Sequence, residues 1–220
     1  MTHRILAAIR VGAALMLLSG IIACPLAAQI LRVPQASETR RPVYASLSIG
    51  FLETQDRYDG QTGSVWLLGQ AISWRGSLEM GIRSGALGVA ASVAFVPISR
   101  TGTGANSNGD IQLRQYLATF RTPETQGFHQ IVEIGIGLAQ WTSYSGTDLL
   151  TDEEAKARNA LAMVIGYGFG FQLGDRASIH MVQDLGTLIG SKEGIPAGGS
   201  RSVRQYTTRI GIRMRLAGGR

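Results

Sequence analysis

Imidazole chemistry in this chain rests on two side chains. Of the three histidines in the 220-residue sequence, His3 sits at the extreme N-terminus, which leaves His129 and His180. A serine hydrolase working on lipid needs Ser, His and a carboxylate converging at one rim. The strand reading below sets both histidines beside the short connections at 122–127 and 174–176, the wrong end for chemistry on an outer leaflet. His180 and Asp184 share a face four residues apart. An extended chain separates them by ~13 Å, at ~3.3 Å per residue, so they cannot pair directly. Gly166-Tyr167-Gly168-Phe169-Gly170 looks like a phosphate-binding glycine run, but no helix follows it to supply the anion-binding N–H groups. Asp148, Asp152, Glu153 and Glu154 are oxygen donors of the kind a divalent cation takes, although a solvated acidic loop is the better account of them. The chain is expected to carry no catalytic residue, no cofactor and no metal.

The scaffold for these residues is set by 161–173, LAMVIGYGFGFQL. Odd positions Leu161, Met163, Ile165, Tyr167, Phe169, Phe171 and Leu173 are large and apolar; even positions from Ala162 to Gly170 are small. Period two means a β-strand, with successive side chains on opposite faces. A half-buried soluble strand alternates apolar with polar. Here the alternation is apolar with nearly bare, which predicts lipid on one side and a crowded lumen on the other. Similar segments lie at 43–53, 70–83, 87–99, 111–121, 128–143, 177–189 and 202–216, giving eight strands. The connections run long, short, long, short, long, short, long. The long ones are 54–69, 100–110, 144–157 and 190–201; the first contains Val65-Trp66-Leu67-Leu68, read as an extra strand turn or a packing anchor. Short turns on one side and long loops on the other mark an all-β, up-and-down antiparallel transmembrane barrel with both termini on the periplasmic side.

Composition agrees. Charged residues make up only 16% of the chain and glycines number 29. The net charge of +6 is scattered and no nucleic-acid motif accompanies it, so no nucleic-acid partner is expected. The N-terminus reads separately. Arg4 and Arg10 precede an apolar run at 11–23, too short to span a bilayer, and Pro25-Leu26-Ala27-Ala28-Gln29 offers a cleavage site after Ala28. This predicts a signal peptide at 1–28, a periplasmic lead-in at 29–42, the barrel at 43–216 and a tail at 217–220. Ile21-Ile22-Ala23-Cys24 also has the form of a lipoprotein signal, but Pro25 and the better site downstream favour ordinary cleavage. Cys24 is the only cysteine, and its removal leaves a mature chain without disulfides or thiolate metal sites.

An Arg facing lipid costs ~2–4 kcal/mol at the bilayer midplane. Arg209, Arg213 and Arg215, which alternate with Ile210, Ile212 and Met214, are therefore assigned to the lumen. The same reasoning assigns Arg75, Glu79, Arg83, Arg114, Glu133, His180 and Asp184 to a structural, ion-paired lumen network. Trp66, Trp74, Trp141, Tyr144 and Tyr206 are candidates for interfacial aromatic belts. In a soluble lipocalin-like barrel the faces would be reversed, and the solvent side would carry Gly166, Gly168, Gly170, Gly135 and Gly137 without the Lys and Glu that soluble sheet edges use.

The pattern over about residues 43–216 resembles the small eight-stranded outer-membrane barrels of bacteria, the OmpA-type transmembrane domain and its relatives. One local feature adds to it. Arg209-Ile210-Gly211-Ile212-Arg213-Met214-Arg215-Leu216 has the polar, Gly and paired-hydrophobic spacing that the barrel-assembly machinery recognises in that class, with Met214 and Leu216 where aromatics are usual. The resemblance implies an outer-membrane monomer with membrane lipids and the assembly machinery as partners. It implies a structural or surface-interaction role, with a possible extracellular ligand at the long loops. The peptidoglycan-binding domain of some relatives has no counterpart here, so no cell-wall anchoring is expected. Three other readings stay open: a small or gated pore, a lipid-modifying enzyme, and the soluble binding barrel.

Overall fold

The computed structural model describes residues 41–55, 57–59, 64–101, 107–145, 158–190 and 202–217. The expectations for residues 1–40 and for the acidic loop at 148–154 fall outside them. The described residues form ten strands in chain order: β1 (Val43–Thr54), β2 (Arg57–Asp59), β3 (Ser64–Leu68), β4 (Ala71–Ile82), β5 (Gly85–Thr101), β6 (Ser107–Arg121), β7 (Phe128–Ser145), β8 (Arg158–Leu173), β9 (Ala177–Gly190) and β10 (Ser202–Ala217). Eight of them pair in an antiparallel ring, β1-β4-β5-β6-β7-β8-β9-β10, which β10 closes on β1. The remaining two, β2 and β3, form a small hairpin. β3 continues the β4 edge upward along β5, from Leu68 opposite Ile98 to Val65 opposite Thr101. The sequence segment Val65-Trp66-Leu67-Leu68 is thus an added strand. Gly69 N donates to Pro97 O at 2.7 Å at the break between β3 and β4.

Alternation along each strand sorts side chains into two faces. Ile165 is 59% exposed and Ile212 52%, whereas Arg209 is 4% exposed and Gly168 is buried. The bulky apolar face of these strands is therefore the outside, and the face with glycine and arginine is the lumen. On β8 the outward apolar residues run from Leu161 to Leu173, ~40 Å along the strand and ~30 Å along the axis of a barrel with strands tilted ~40°. That is enough to cross a hydrocarbon layer. Phe128, Phe169 and Tyr167 form an outward aromatic patch, with ring centroids 5.3 Å apart for the stacked pair of phenylalanines and 5.5 Å for the edge-on pair of Tyr167 and Phe169.

The turns follow local chemistry. Gly174 (φ 68°) and Gly127 (φ 73°) adopt left-handed backbone that disfavours a side chain; the first opens one short connection and the second ends another. Ser143 (φ 54°) marks a bulge in β7 where the register with β6 shifts between Asp110 and Gln112.

The lumen has two layers, and the upper one departs from expectation. Toward the long loops it is apolar: Leu52, Val96, Ile98, Ile111, Leu113, Leu117, Leu188 and Val203 pack with alanines from β4, β5, β7 and β8. Toward the short turns it is charged. Sequence parity had reserved large apolar side chains for lipid. A narrow, dry lumen stabilises them equally well wherever no partner for a charge is available. Gln115 Nε2 donates to Gln205 Oε1 at 2.8 Å and bridges β6 to β10 across the lumen.

Candidate functional site

The charged layer contains two knots. In the upper one Arg75 from β4 and Arg209 from β10 meet Glu133 from β7 and Asp184 from β9. Arg209 Nε lies 2.7 Å from Asp184 Oδ2 and its Nη2 3.1 Å from Glu133 Oε1. Arg75 Nη2 bonds Glu133 Oε1, and its Nη1 reaches Asp184 Oδ2 at 3.6 Å. In the lower knot Arg213 of β10 holds Glu79 of β4 at 2.7 Å and Glu124 at 3.2 Å, and Arg121 of β6 holds Glu124 at 3.1 Å. Four arginines thus face four carboxylates, and the layer is neutral overall. A buried charge left without a partner is destabilising, so this balance is what makes the layer tenable. Arg213 also lies over the Tyr44 ring, 3.6 Å from its centroid.

Glu124 was not expected. It belongs to the connection between β6 and β7, outside any period-two strand, and folds back into the lumen. Its Oε2 accepts from Ser178 Oγ at 3.0 Å, and its Oε1 lies 3.8 Å from His129 Nε2. Burial pushes its carboxyl pKa up, but His129, Arg213, Arg121 and Ser178 outweigh burial and hold it at about 2, below the usual 4.5.

The residues assigned to the lumen from sequence divide as follows. The structure brings Arg75, Glu79, Glu133, Asp184, Arg209 and Arg213 together in these knots. His180 is 1% exposed between them, and neither ring nitrogen has a hydrogen-bond partner. Arg83 and Arg114 lie elsewhere. Arg83 falls one residue past β4, in the turn before Gly85, and is exposed to solvent. The alternation that puts Glu79 inside ends before it.

Arg114 faces out. On β6 the inward set is Ile111, Leu113, Gln115, Leu117, Thr119 and Arg121. The lumen-facing residues on either side of Arg114, Leu113 and Gln115, are buried and uncharged. Outside, Arg114 Nε donates to Gln112 Oε1 at 2.9 Å and its cross-strand neighbour is Gln140, so it sits where the apolar belt gives way to polar residues. Arg121 is the lumen arginine that strand contributes. Trp141 likewise turns inward, against the apolar layer, whereas Trp74 and Tyr206 are exposed on the outside. The side chains of Trp66 and Tyr144 lie outside the description.

Ser178, Glu124 and His129 come together, but the carboxylate stands between the serine and the histidine. In a nucleophilic triad the histidine must contact the serine. Among the described residues no group of three His, Cys, Asp or Glu side chains is placed to hold a metal. Between the charged and apolar layers lies a void of about 30 Å³, room for a water rather than a channel. A larger cavity of about 690 Å³ opens at the short-turn end, lined by Tyr44, Glu124, Arg176, Ser178, Arg213 and Arg215 among others.

No family model and no curated protein matches the sequence. Solved structures similar to it include the outer membrane protein OprG of Pseudomonas aeruginosa, at 12% identity and a TM-score of 0.49 over 81% of this chain and 97% of that one. Neisserial surface protein A shows 8% identity and a TM-score of 0.49 over 79% of this chain and 97% of that one. The attachment invasion locus protein Ail of Yersinia pestis, crystallised with the heparin analogue sucrose octasulfate, shows 16% identity and a TM-score of 0.41 over 79% of this chain and 99% of that one. The closed eight-stranded ring is read from the strand pairing of this chain alone.

Proposed function

We propose that the chain is an integral outer-membrane β-barrel of a bacterial envelope, non-enzymatic, with a structural or surface-interaction role. One observation carries this reading: a continuous belt of exposed Leu, Ile, Val, Phe and Met encircles a barrel whose interior is packed and charge-neutral. A soluble protein does not present such a belt to water, and it has the height of a membrane's hydrocarbon layer. In this reading the short turns face the periplasm and the long loops face outward, available to an extracellular ligand. Membrane lipids, and the assembly machinery during biogenesis, are the other partners, and the barrel acts as a monomer. The packed lumen favours this role over that of a pore. The inaccessible histidines, and the order in which Ser178, Glu124 and His129 meet, favour it over a lipid-modifying enzyme.

Fractionation combined with heat-modifiable gel mobility tests the reading. The expected result is partition with outer membranes, and a folded band that migrates faster than the boiled one. Recovery in the soluble periplasmic fraction without detergent would return the barrel to the lipocalin-like alternative.

A further inference from the structure

The cavity at the short-turn end carries an arginine that the two knots do not use. Arg213, on its floor, is committed to Glu79 and Glu124. Arg215, two residues on, has no carboxylate in ion-pair range among the described residues. Its guanidinium stands 5.8 Å from the Tyr44 ring centroid, and its Nε is buried without a hydrogen-bond partner. A guanidinium that no carboxylate engages keeps its terminal N–H donors for an acceptor bound in the cavity. Arg215 N donates to Arg176 O at 2.7 Å, and Arg176 lines the same cavity. Asp175 is the other acidic side chain of the wall. It is exposed, and among the described residues it pairs with neither arginine. Leu216, 59% exposed on the outer face, lines the same cavity. The polar mouth is therefore continuous with the surface assigned to lipid.

We propose that this mouth binds the phosphate group of an anionic membrane lipid. Arg215 and Arg176 supply the charge, Gln126 and Gln172 can add neutral amide donors, and the acyl chains follow the outer face past Leu216. A guanidinium presents paired N–H donors that match phosphate oxygens. At about 690 Å³ the cavity exceeds what a lone phosphate fills and accommodates a head group. The proposal rests on the membrane reading above. It adds a specific lipid site to a surface that otherwise needs none.

The test uses the full barrel folded in mixed vesicles of phosphatidylcholine and phosphatidylglycerol, then extracted in mild detergent and weighed intact by native mass spectrometry. Wild-type barrel is expected to retain one phosphatidylglycerol in preference to phosphatidylcholine. Arg215→Gln is expected to lower that retention about tenfold, the loss of one charge-assisted hydrogen bond at ~1.4 kcal/mol per decade. Arg114→Gln removes the same charge from the outer face elsewhere and is expected to leave retention unchanged. Arg176→Gln, at an exposed turn, provides a second variant if Arg215→Gln does not fold.

Displacement by millimolar inorganic phosphate would show that the phosphate group itself is held. Retention in its presence would assign the whole head group. Equal retention of the two lipids, or retention that neither Arg215→Gln nor Arg176→Gln lowers, overturns the proposal. Heat-modifiable mobility of the same samples separates this from failure of the membrane reading: a barrel that folds in vesicles but keeps no lipid sinks the lipid site alone.

Discussion

At the scale of single residues, position relative to the lumen decides what an arginine does. Arg209 is enclosed and bonded to two carboxylates, whereas Arg114 is exposed and bonded to a glutamine. Removing one partner of a buried ion pair strands the other, at a cost of ~3–5 kcal/mol. An exposed polar contact is worth under ~1 kcal/mol. Arg209→Gln is therefore expected to lower unfolding stability by several kcal/mol and Arg114→Gln by less than ~1 kcal/mol. Urea titration of the barrel in lipid vesicles measures both, and similar losses would contradict the inside–outside assignment. Glu124 supplies a pH test. Its folded pKa of about 2 lies below the ordinary 4.5, so its stabilisation is fully present above pH 4.5 and is lost as pH falls toward 2. A shift of that size corresponds to ~3 kcal/mol. Glu124→Gln is expected to be less stable than wild type at pH 7, with the gap closing between pH 4.5 and 2. A gap that stays constant over that range would mean that the carboxylate's charge plays no part.

At the scale of the strand, legibility depended on how different the two faces are. In β8 one face is bulky and the other small, and its direction follows from the sequence. In β6 each face carries one Arg and at least one large apolar residue, Arg114 with Tyr116 and Phe120 against Arg121 with Leu113 and Leu117. Period two alone gives no direction there. The rule that large apolar residues face lipid fails as well, because Leu113 and Leu117 belong to the apolar layer of the lumen. Glu124 was illegible for another reason: a turn has no period, and a side chain folding back into a barrel leaves no mark in local sequence. The apolar upper layer follows from the same limit, since parity says which face a residue takes and not what fills the space opposite. The small face of β8 does make a prediction. A methyl on Gly168 would run into the carbonyl oxygen of Met181 on β9, and a methyl on Gly170 would stand 2.5 Å from His129 Nε2. Overpacking of this kind costs ~1–3 kcal/mol. Gly168→Ala is expected to lose about that much in the same urea titration. Gly174→Ala, where nothing lies within 4 Å of the added methyl, is expected to register only the backbone strain of its turn.

At the scale of the whole barrel, the two layers act as closures in series. Eight strands leave an interior that side chains can fill, and here they fill it in two chemically different ways. In the proposed reading the upper layer excludes ions because its side chains are apolar, Leu113 of β6 and Leu188 of β9 among them. In the same reading the lower layer excludes them because four arginines paired with four carboxylates cross or line the lumen and leave no net charge to attract an ion. Barriers in series pass only what the higher one allows. Wild-type barrel in planar bilayers is therefore expected to show far less conductance than an open aqueous pore. Leu113→Gly with Leu188→Gly opens the apolar layer but leaves the ion-paired one, and conductance is expected to stay low. Arg75→Ser with Arg209→Ser loosens the ion-paired layer but leaves the apolar one, with the same result. Only the four changes together, if the barrel still folds by gel mobility, are expected to raise conductance above wild type, with the lower knot of Arg213 and Arg121 as the constriction that remains. Stable large conductance steps in wild type, or in either double variant alone, would mean that the packed lumen rearranges in the membrane. The pore reading would then displace the structural one.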